Sequence, residues 1–539
     1  MESPFGWSAK INGKYLAEMI PSWLSPPLDS LAFIMRTFIH PDFFIPVAVI
    51  MVGQILHLIA TLALNMMVSR LALEVEKYEF PFAEVELSLI DFLSERPPEK
   101  TKLFLLSMIP GIIFSLIAYV GPLFLSFQLI PLPYLDLTWL IQDYLPGAAL
   151  GIVTSLSAYF HGFIVPFNAA LCAFITSFVL RVFLNSLFIT TFPNLFPEWV
   201  KEYFVGMGLM GVTTRSEIRI WFPLSFGFSL GITLFMLYKS RRGIISFCRA
   251  LTPSKENNNQ DVLGFPSNLK LFALFLVSSG ASIIIFHYLV PEIPLWIPIL
   301  TSIFYSFLVA LAVAATQGET GYAIVPPNLW TAMVYFSPYN GYAGFVFSPV
   351  LCGDTAGSFS QRVKVALKVY CKPTDLPKLQ VIAWSITWII SFIVLSIFWS
   401  IAPIPSTAYP YTLYNFPENA QSITMLITRQ IRFLPEYVIA ATGTVIAVSL
   451  VGEVMLRFGI PFSHTGFFLG LFSLPSGVVP LIIGSIIGNY LMPHFFGGKR
   501  RWMDVRGTII AGELMGEGII LIFLLSMSLL SKASWIWPW

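Results

Sequence analysis

Charged side chains are scarce in this sequence. Asp, Glu, Lys and Arg make up 11% of the 539 residues, whereas a soluble globular protein carries about 25%. Hydrophobic residues account for 56%, and the mean hydropathy is +0.76. The formal net charge of +2 indicates no nucleic-acid or acidic partner. The composition therefore predicts an integral membrane protein that contacts the lipid bilayer along many spans.

Cysteines and enzyme motifs are also few. Cys172, Cys248, Cys352 and Cys371 form no CxxC pair, so we expect neither a disulfide framework nor a thiolate metal site. Walker A, HExxH and GxSxG motifs are absent, and GETG and GDTAG lack the lysine and strand context of phosphate loops. We therefore expect no catalytic residues, no bound metal and no cofactor, and predict that the protein is not an enzyme.

Long apolar runs fill the chain instead. About 20 apolar residues span a bilayer core, and the sequence offers ten clear candidates: roughly 43–68, 103–130, 145–165, 166–192, 219–238, 269–290, 293–316, 380–402, 436–457 and 505–530. Regions near 328–351 and 461–493 are also apolar, but prolines interrupt them. The predicted fold class is an all-α polytopic membrane protein. It would have about 10–13 transmembrane helices, two re-entrant or broken-helix hairpins, and two repeat-related halves.

Basic residues cluster in segments 69–102, 239–270, 361–378 and 498–506, which hold 20 of the 31 lysines and arginines. Under the positive-inside rule these segments face the cytoplasm. All of them reach one side if each proline-broken region enters and leaves the membrane by the same face. This pattern predicts hairpins in both regions and a cell-membrane location.

A polar segment, SKENNNQD, divides the apolar chain near its middle. The predicted organisation is an N-terminal interfacial segment (1–42), a first transmembrane half (43–250), a cytoplasmic linker (251–268) and a second half (269–539). The two halves share a weak internal sequence similarity. In each half, an apolar helix is followed by an arginine, a Pro-Phe pair and an amphipathic segment, in that order. Such repeats are typical of transporters, whose sites lie at the repeat interface.

The stretch 317–378 is rich in proline, glycine and aromatic residues at membrane depth. Irregular backbone is tolerated there only when it is buried in protein or lines an aqueous cavity. We therefore predict a substrate site in this stretch. Its candidate residues are Gly318, Glu319, Thr320, Gly321, Tyr335, Tyr339, Asn340, Tyr342 and Asp354. The alternatives are core packing or an interfacial belt for the aromatic side chains, and a helix N-cap for Asp354.

Ionisable residues inside membrane spans are functional candidates by default. Glu513 and Glu517 are four residues apart and share one helix face. Because two ionised carboxylates would repel each other in a low-dielectric site, one of them is expected to bind a proton near neutral pH. The alternative is that one glutamate pairs with Arg181 or a backbone amide. For Glu453, an i,i+4 pair with Arg457 is the expected arrangement.

Several of these segments resemble motifs of the oligopeptide transporter (OPT) superfamily. QGETGYAIVPPNLWTAMVY resembles its GQTG segment, LCGDTAGSFSQRVKVAL its AGDLLQDLKTGYLL helix, and RGTIIAGELMGEGIILIFLL its final helix. RLALEVEKYEFPFAEVELSLIDFL is similar to an early segment of the family. The order and spacing agree from about residue 45 to 530.

The resemblance implies secondary active transport, in which protons drive the uptake of small peptides or peptide-like metal chelates. Gly516 and Glu517 match the family's final motif, so proton coupling through Glu517 and Glu513 is the implied role. Glu319 and Glu513 stand where the family usually has neutral residues. The matches in the earlier motifs are Gly318, Thr320, Gly321, Gly353 and Asp354. A homodimer is plausible for such proteins.

The chain also departs from the family pattern. About 42 residues precede the first clear span, where the family has more membrane segments, so a shortened N-terminal region is expected. The peptide-type signatures SPYxEVR and KIPPR are replaced by SPYNGYA and CKPTDLPK. Two other functions stay open at this point. One is a transport-dead scaffold subunit of a membrane complex, and the other is an intramembrane lipid-modifying enzyme.

Overall fold

The computed structural model describes residues 10–11, 13–94, 98–125, 127–239, 241, 245, 264–326, 329–409, 411–431 and 434–536. Helices dominate these residues, which confirms the all-α polytopic fold. Among them, the strands form two short antiparallel pairs: β1 (Lys10–Ile11) with β2 (Lys14–Tyr15), and β3 (Tyr134–Asp136) with β4 (Gly151–Val153). Most of the linker 251–268 lies outside the described residues.

In chain order, the helices are α1 (Leu31–Met35), α2 (Pro41–Val75), α3 (Ala83–Ser94), α4 (Pro98–Leu125), α5 (Thr138–Ile141), α6 (Leu156–Gly162), α7 (Phe167–Thr190), α8 (Pro197–Glu202), α9 (Leu209–Lys239), α10 (Asn268–Leu289), α11 (Trp296–Thr320), α12 (Leu329–Phe336), α13 (Ala343–Val346), α14 (Ala356–Lys368), α15 (Asp375–Ile401), α16 (Thr412–Ile427), α17 (Pro435–Arg457), α18 (His464–Phe472), α19 (Pro475–Phe495) and α20 (Lys499–Ile536). A 3₁₀ turn (Leu16–Met19) follows β2.

Within the described residues, ten helices are long and apolar enough to cross a membrane: α2, α4, α7, α9, α10, α11, α15, α17, α19 and α20. Nine correspond to predicted spans. The predicted span 145–165 is wrong as a continuous helix, because β4 pairs with β3 there and only α6 is helical. The tenth span is α19, which tolerates Pro475 because a proline at the first helical position removes an N–H that needs no partner.

The predicted hairpin near 461–493 is present as α18 and α19, which are separated by a break at Ser473 and Leu474. α18 packs along α7. Gly466 and Gly470 lie so close to Ala169 and Ala173 that an added Cβ would come within 2.6 Å of a backbone oxygen. α19 returns along α6 and α7.

A second broken helix, which the sequence analysis did not identify, crosses the first. It consists of α6 and α7, separated by residues 163–166. Each break leaves a carbonyl group outside the regular helical ladder, and a serine of the other hairpin donates to it. Ser177 Oγ lies 2.8 Å from the Ser473 oxygen, and Ser485 Oγ lies 2.9 Å from the Val165 oxygen. The broken backbone is thus satisfied within the protein, as a membrane interior requires.

The predicted hairpin near 328–351 is also present, but it is largely unwound. The chain leaves the end of α11, runs along it with Tyr305 Oη donating to the Pro326 oxygen at 2.9 Å, and forms α12 and α13. It then returns as an extended limb to α14. Two N–H groups of this limb, at Val350 and Cys352, donate to the hydroxyl groups of Ser282 and Ser306 at 2.9 and 3.1 Å.

Helices from the two sequence halves pack against each other rather than forming separate bodies. The closest pairings are α4 with α20, α9 with α17, α2 with α10, α7 with α18, and α6 with α19. One end of this assembly, which we call the basic face, carries α3, α14 and the start of α20. There Gln361 Nε2 donates to Glu86 Oε1 at 2.6 Å, and Arg506 pairs with Glu84 at 2.8 Å.

Span α15 is the exception to this close packing. None of its residues is buried in the protein. The N-terminal segment touches it through aromatic rings, since Phe38 and Phe43 lie 4.6 and 5.9 Å from the ring of Trp399. The apolar side chains along α15 are therefore available to lipid or to another protein.

Candidate functional site

A polar cavity of about 290 Å³ lies where the two broken hairpins meet helix ends near the basic face. The C-terminal ends of α9, α11 and α17 and the N-terminal ends of α7 and α18 surround it. Both halves of the chain therefore contribute to its walls. Its polar lining residues are Asn168, Lys239, Glu319, Thr320, Ser463, His464 and Thr465.

An ion pair crosses this cavity. Lys239 is the last residue of α9, Glu319 is in the last turn of α11, and Lys239 Nζ lies 3.2 Å from Glu319 Oε1. Each side chain remains 35% exposed. Because solvent screens the attraction between partly exposed charges, such a pair contributes little to stability. Its position inside a cavity makes the two charges available to a ligand.

His464 also lines the cavity. Its Nε2 donates to the Ser449 carbonyl oxygen at 3.0 Å and lies 3.6 Å from Glu453 Oε1, while its ring stacks on Phe235 with centroids 4.9 Å apart. The expected pair between Glu453 and Arg457 is not found among the described residues. The chain folds back after α17 and brings His464 to Glu453 instead, a contact across the turn that helical spacing does not reveal.

The two helix N-termini at the cavity differ in how they are capped. Ser463 caps α18, with Oγ accepting from the Gly466 N–H at 3.1 Å, and its own N–H points to Cys172 Sγ at 3.4 Å. α7 begins after Pro166 without a side-chain cap. Because helix N-termini carry partial positive charge, their convergence on one cavity favours negatively charged groups there.

The predicted substrate-site residues separate into distinct groups. Glu319 and Thr320 line the cavity. Gly318 and Gly321 pack behind it against Tyr78 and Phe82, and Gly321 has φ +83°, so it ends α11 in a conformation that favours glycine. These four predicted residues therefore lie beside the crossing of the two broken hairpins.

The aromatic part lies at the opposite end of α11. Arg429 organises it, because its guanidinium donates to the oxygens of Ser337 and Tyr339 at 2.9 and 3.0 Å and to Asn340 Oδ1 at 3.2 Å. The same guanidinium lies 4.4 Å from the ring centre of Tyr335. Tyr335 and Tyr339 are buried, so packing accounts for them.

Tyr339 and Tyr342 also line a separate cavity of about 330 Å³, together with Lys14, Glu18 and Glu292. This cavity faces away from the basic face. The structure therefore does not bring Tyr335, Tyr339, Asn340 and Tyr342 together with Glu319 and Thr320 in one pocket. The unwound hairpin is long enough to reach both ends of α11.

Asp354 lies on the returning limb and is exposed. It is not the N-cap of α14, because that helix begins at Ala356 with Thr355 in the N-cap position. The Thr355 hydroxyl group instead accepts from Asn65 Nδ2 at 3.0 Å. The neighbouring Gly353, at φ +107°, allows the limb to pass against the backbone of Ser306 and Ala310.

Glu513 and Glu517 are buried in the middle of α20, with 0% and 8% of their surfaces exposed. Both carboxylate oxygens of Glu513 and Oε2 of Glu517 have no hydrogen-bond partner other than each other's carboxyl group. Glycines bring α4 against α20 here, since an added Cβ on Gly111 would lie 2.4 Å from the Glu513 backbone oxygen. The packing therefore excludes water from these carboxyl groups.

Arg181 does not neutralise this pair. Its guanidinium binds Glu217 Oε2 at 2.8 Å and lies 4.4 Å from the ring centre of Trp221. Both partners sit in π-helical turns, Val179–Leu184 in α7 and Glu217–Trp221 in α9. The alternative in which Glu513 or Glu517 pairs with Arg181 is therefore wrong.

Sequence reasoning missed Lys239 and His464 as cavity residues and missed the broken helix α6–α7. The signals were present in HGFIVPFN, where Gly162 and Pro166 lie four residues apart, and in PFSHTG, where His464 comes shortly after another Pro-Phe pair. A scan against models of known protein families and a search of curated proteins both find no match. Among the described residues, no group of three or more His, Cys, Asp and Glu side chains could hold a metal ion.

Proposed function

We propose that this protein is a secondary active transporter that uses a proton gradient to take up small peptides or peptide-like metal chelates. One observation carries the proposal: broken helices from both halves of the chain cross beside a polar cavity that contains an ion pair. In transporters built from repeats, discontinuous helices at the repeat interface form the substrate site. Lys239, Glu319, Thr320 and His464 are the proposed contacts.

The buried pair Glu513 and Glu517 supports proton coupling. A charge in the middle of a membrane span is costly, and a second like charge beside it adds repulsion. Binding a proton removes one charge without moving the helix backbone. Loading a proton from the outside would remove one of the two negative charges and lower the cost of passing through the closed intermediate. Release to the cytoplasm would restore the charge.

The resemblance to the OPT superfamily supplies the proposed substrate class and the direction of transport. It also supports the cell membrane as the location, where a proton gradient is available. Among the residues that match the family, Gly318, Thr320 and Gly321 lie at the cavity or directly behind it, and Glu517 belongs to the buried carboxyl pair. Gly353 and Asp354 match the family too, but they lie on the returning limb before α14. Glu319 belongs to this chain rather than to the family pattern, so the detailed substrate is argued separately.

Uptake into liposomes tests the proposal. The purified protein is reconstituted and given labelled dialanine, trialanine and a ferric peptide chelate, with and without an acidic exterior. We expect accumulation of at least one substrate that depends on the pH gradient and stops when a protonophore is added. Absence of uptake for all three substrates would contradict the proposal.

A scaffold role is the second candidate, because α15 has no buried residue and offers a complete apolar face to another protein. This role predicts recovery of a stoichiometric partner when the protein is purified in mild detergent. It also predicts no uptake in the liposome assay. The same preparation therefore separates the two candidates.

A further inference from the structure

The cavity at the hairpin crossing contains charges of both signs at short range. Lys239 and Glu319 already touch, and a second carboxylate, Glu453, lies 3.6 Å from the lining residue His464. A site for a purely anionic ligand would not need Glu319, and a site for a cation would not need Lys239. The lining therefore complements a ligand that carries both charges.

We propose that the substrate is a zwitterion that inserts between Lys239 and Glu319 and replaces their ion pair. The substrate carboxylate takes the place of Glu319 at Lys239, and the substrate ammonium takes the place of Lys239 at Glu319. This inference rests on the proposed transport function and specifies which small molecules it accepts. A short peptide with free ends has this charge pattern.

The surroundings of the ion pair fit this exchange. α7 and α18 direct their N-termini toward the cavity, which favours the substrate carboxylate. Glu319 is in the last turn of α11, where the partial negative charge of a helix C-terminus adds to the attraction for an ammonium group. The structure therefore gives each end of a zwitterion its own side of the cavity.

The energetics also allow the exchange. Lys239 and Glu319 are partly exposed, so the attraction between them is screened and weak. A zwitterion restores both charge contacts after separating the two side chains, so neither charge is left without a partner. A ligand with only one charged end would leave the other side chain unpaired in the cavity.

The size of the cavity limits the substrate. Its volume of about 290 Å³ is at the lower end of the roughly 300–1,000 Å³ range for small-molecule sites. Such a volume suits a ligand of a few residues at most. Phe462 and Leu456 provide the apolar part of the wall, against which a small side chain can pack.

The experiment compares end-blocked substrates in liposomes under one fixed pH gradient. Initial uptake is measured for labelled dialanine, N-acetyl-dialanine and dialanine amide at concentrations well below saturation. The proteins compared are the natural sequence, Lys239→Met and Glu319→Gln. The matched controls are Lys378→Met and Asp375→Asn, which break an ion pair of 2.9 Å on the exposed start of α15.

The natural protein should favour free dialanine over each blocked form by about tenfold, which is the effect of losing one hydrogen bond to a charged group. Lys239→Met should lose the discrimination against the amide and keep that against the N-acetyl form. Glu319→Gln should show the reverse pattern. Both control variants should keep both preferences.

Equal uptake of free and blocked dialanine by the natural protein would overturn the inference and leave the transport function standing. The inference would also be overturned, with the transport function left standing, if Lys239→Met and Glu319→Gln still preferred free dialanine over both blocked forms. No uptake of any of the three probes, together with none of trialanine and the chelate, would overturn both. If a single variant fails to fold, the exchanged variant Lys239→Glu with Glu319→Lys keeps the pair and should keep both preferences.

Discussion

Two sets of acidic residues in this protein differ in their exposure and in the charge beside them. Glu319 lies at a helix end, partly exposed and 3.2 Å from Lys239. Glu513 and Glu517 lie in the middle of a span, buried beside each other, and no cation pairs with them among the described residues. Glu319 therefore has an opposite charge beside it, whereas Glu513 and Glu517 have only each other's carboxyl group nearby.

Packing explains the difference between the two places. At the cavity, Lys239 and Glu319 each keep 35% of their side-chain surface exposed, so a ligand can reach them. Around Glu513 and Glu517, small residues bring α4 and α20 into close contact, and an added Cβ on Gly516 would lie 2.3 Å from the Met108 backbone oxygen. This difference supports the proposal that the cavity recognises charge and that the helix pair stores a proton.

The largest expected effect comes from removing the buried carboxyl groups. Glu513→Gln with Glu517→Gln keeps the size of both side chains but leaves no group that exchanges protons. We expect the pH gradient to stop accelerating uptake, with a loss of tenfold or more in gradient-driven accumulation. Exchange of labelled for unlabelled substrate without a gradient should continue. Accumulation that still follows the gradient in the double variant would contradict the proton role.

A spectroscopic control separates proton storage from transport. Infrared spectra of the protein at neutral pH should contain the carbonyl band of a protonated carboxyl group. The band should persist in Glu319→Gln, because Glu319 lies outside the buried carboxyl pair and beside Lys239, and disappear in the double variant. A band that survives in the double variant would place the bound proton elsewhere.

The sequence predicts much of this architecture, because apolar runs of about 20 residues have few alternatives to a membrane helix. Nine predicted spans are helices of the expected type. Prolines also located the hairpins near 328–351 and 461–493. The failure at 145–165 has a physical reason: β4 pairs with the preceding strand β3, and this pairing overrides the apolar pattern.

The candidate site was harder to predict. Glu319 and Thr320 were identified because broken backbone in a membrane implies a cavity. Their partners Lys239 and His464 come from other helix ends, and Lys239 had been counted as one of many basic loop residues. The aromatic residues Tyr335 and Tyr339 were grouped with Glu319 by their nearness in sequence, yet the unwound chain extends along α11 and separates them.

An intermediate effect is expected at the hairpin crossing. In Gly484→Ala the new Cβ would lie 2.0 Å from the Tyr159 carbonyl oxygen, and overpacking of this kind costs about 1–3 kcal/mol. Thermal unfolding should shift to lower temperature and uptake should fall several-fold, while the ratio of uptake with and without the pH gradient stays unchanged. A changed ratio would show that the cavity and the carboxyl pair are not separate.

The matched control for this change is Gly477→Ala in the same helix. No atom lies within 4 Å of the position that its Cβ would occupy. Replacing a helical glycine by alanine stabilises a helix by roughly 0.5–1 kcal/mol. The control should therefore unfold at the same or a slightly higher temperature and transport normally. If both alanine variants lowered the unfolding temperature and uptake equally, the close contact at Gly484 would not be the cause of the effect.

The smallest effect is expected from an ion pair that has good geometry but lies outside the cavity. Lys378 Nζ lies 2.9 Å from Asp375 Oδ1, closer than Lys239 is to Glu319, but the side chains are 71% and 48% exposed at the start of α15. Exposed pairs contribute about 0.2–1 kcal/mol. Lys378→Met should therefore change uptake less than twofold and leave its pH response intact. Suppose instead that Lys378→Met loses substrate discrimination as strongly as Lys239→Met. Position in the cavity would then not decide substrate discrimination, because an exposed pair outside it would have the same effect.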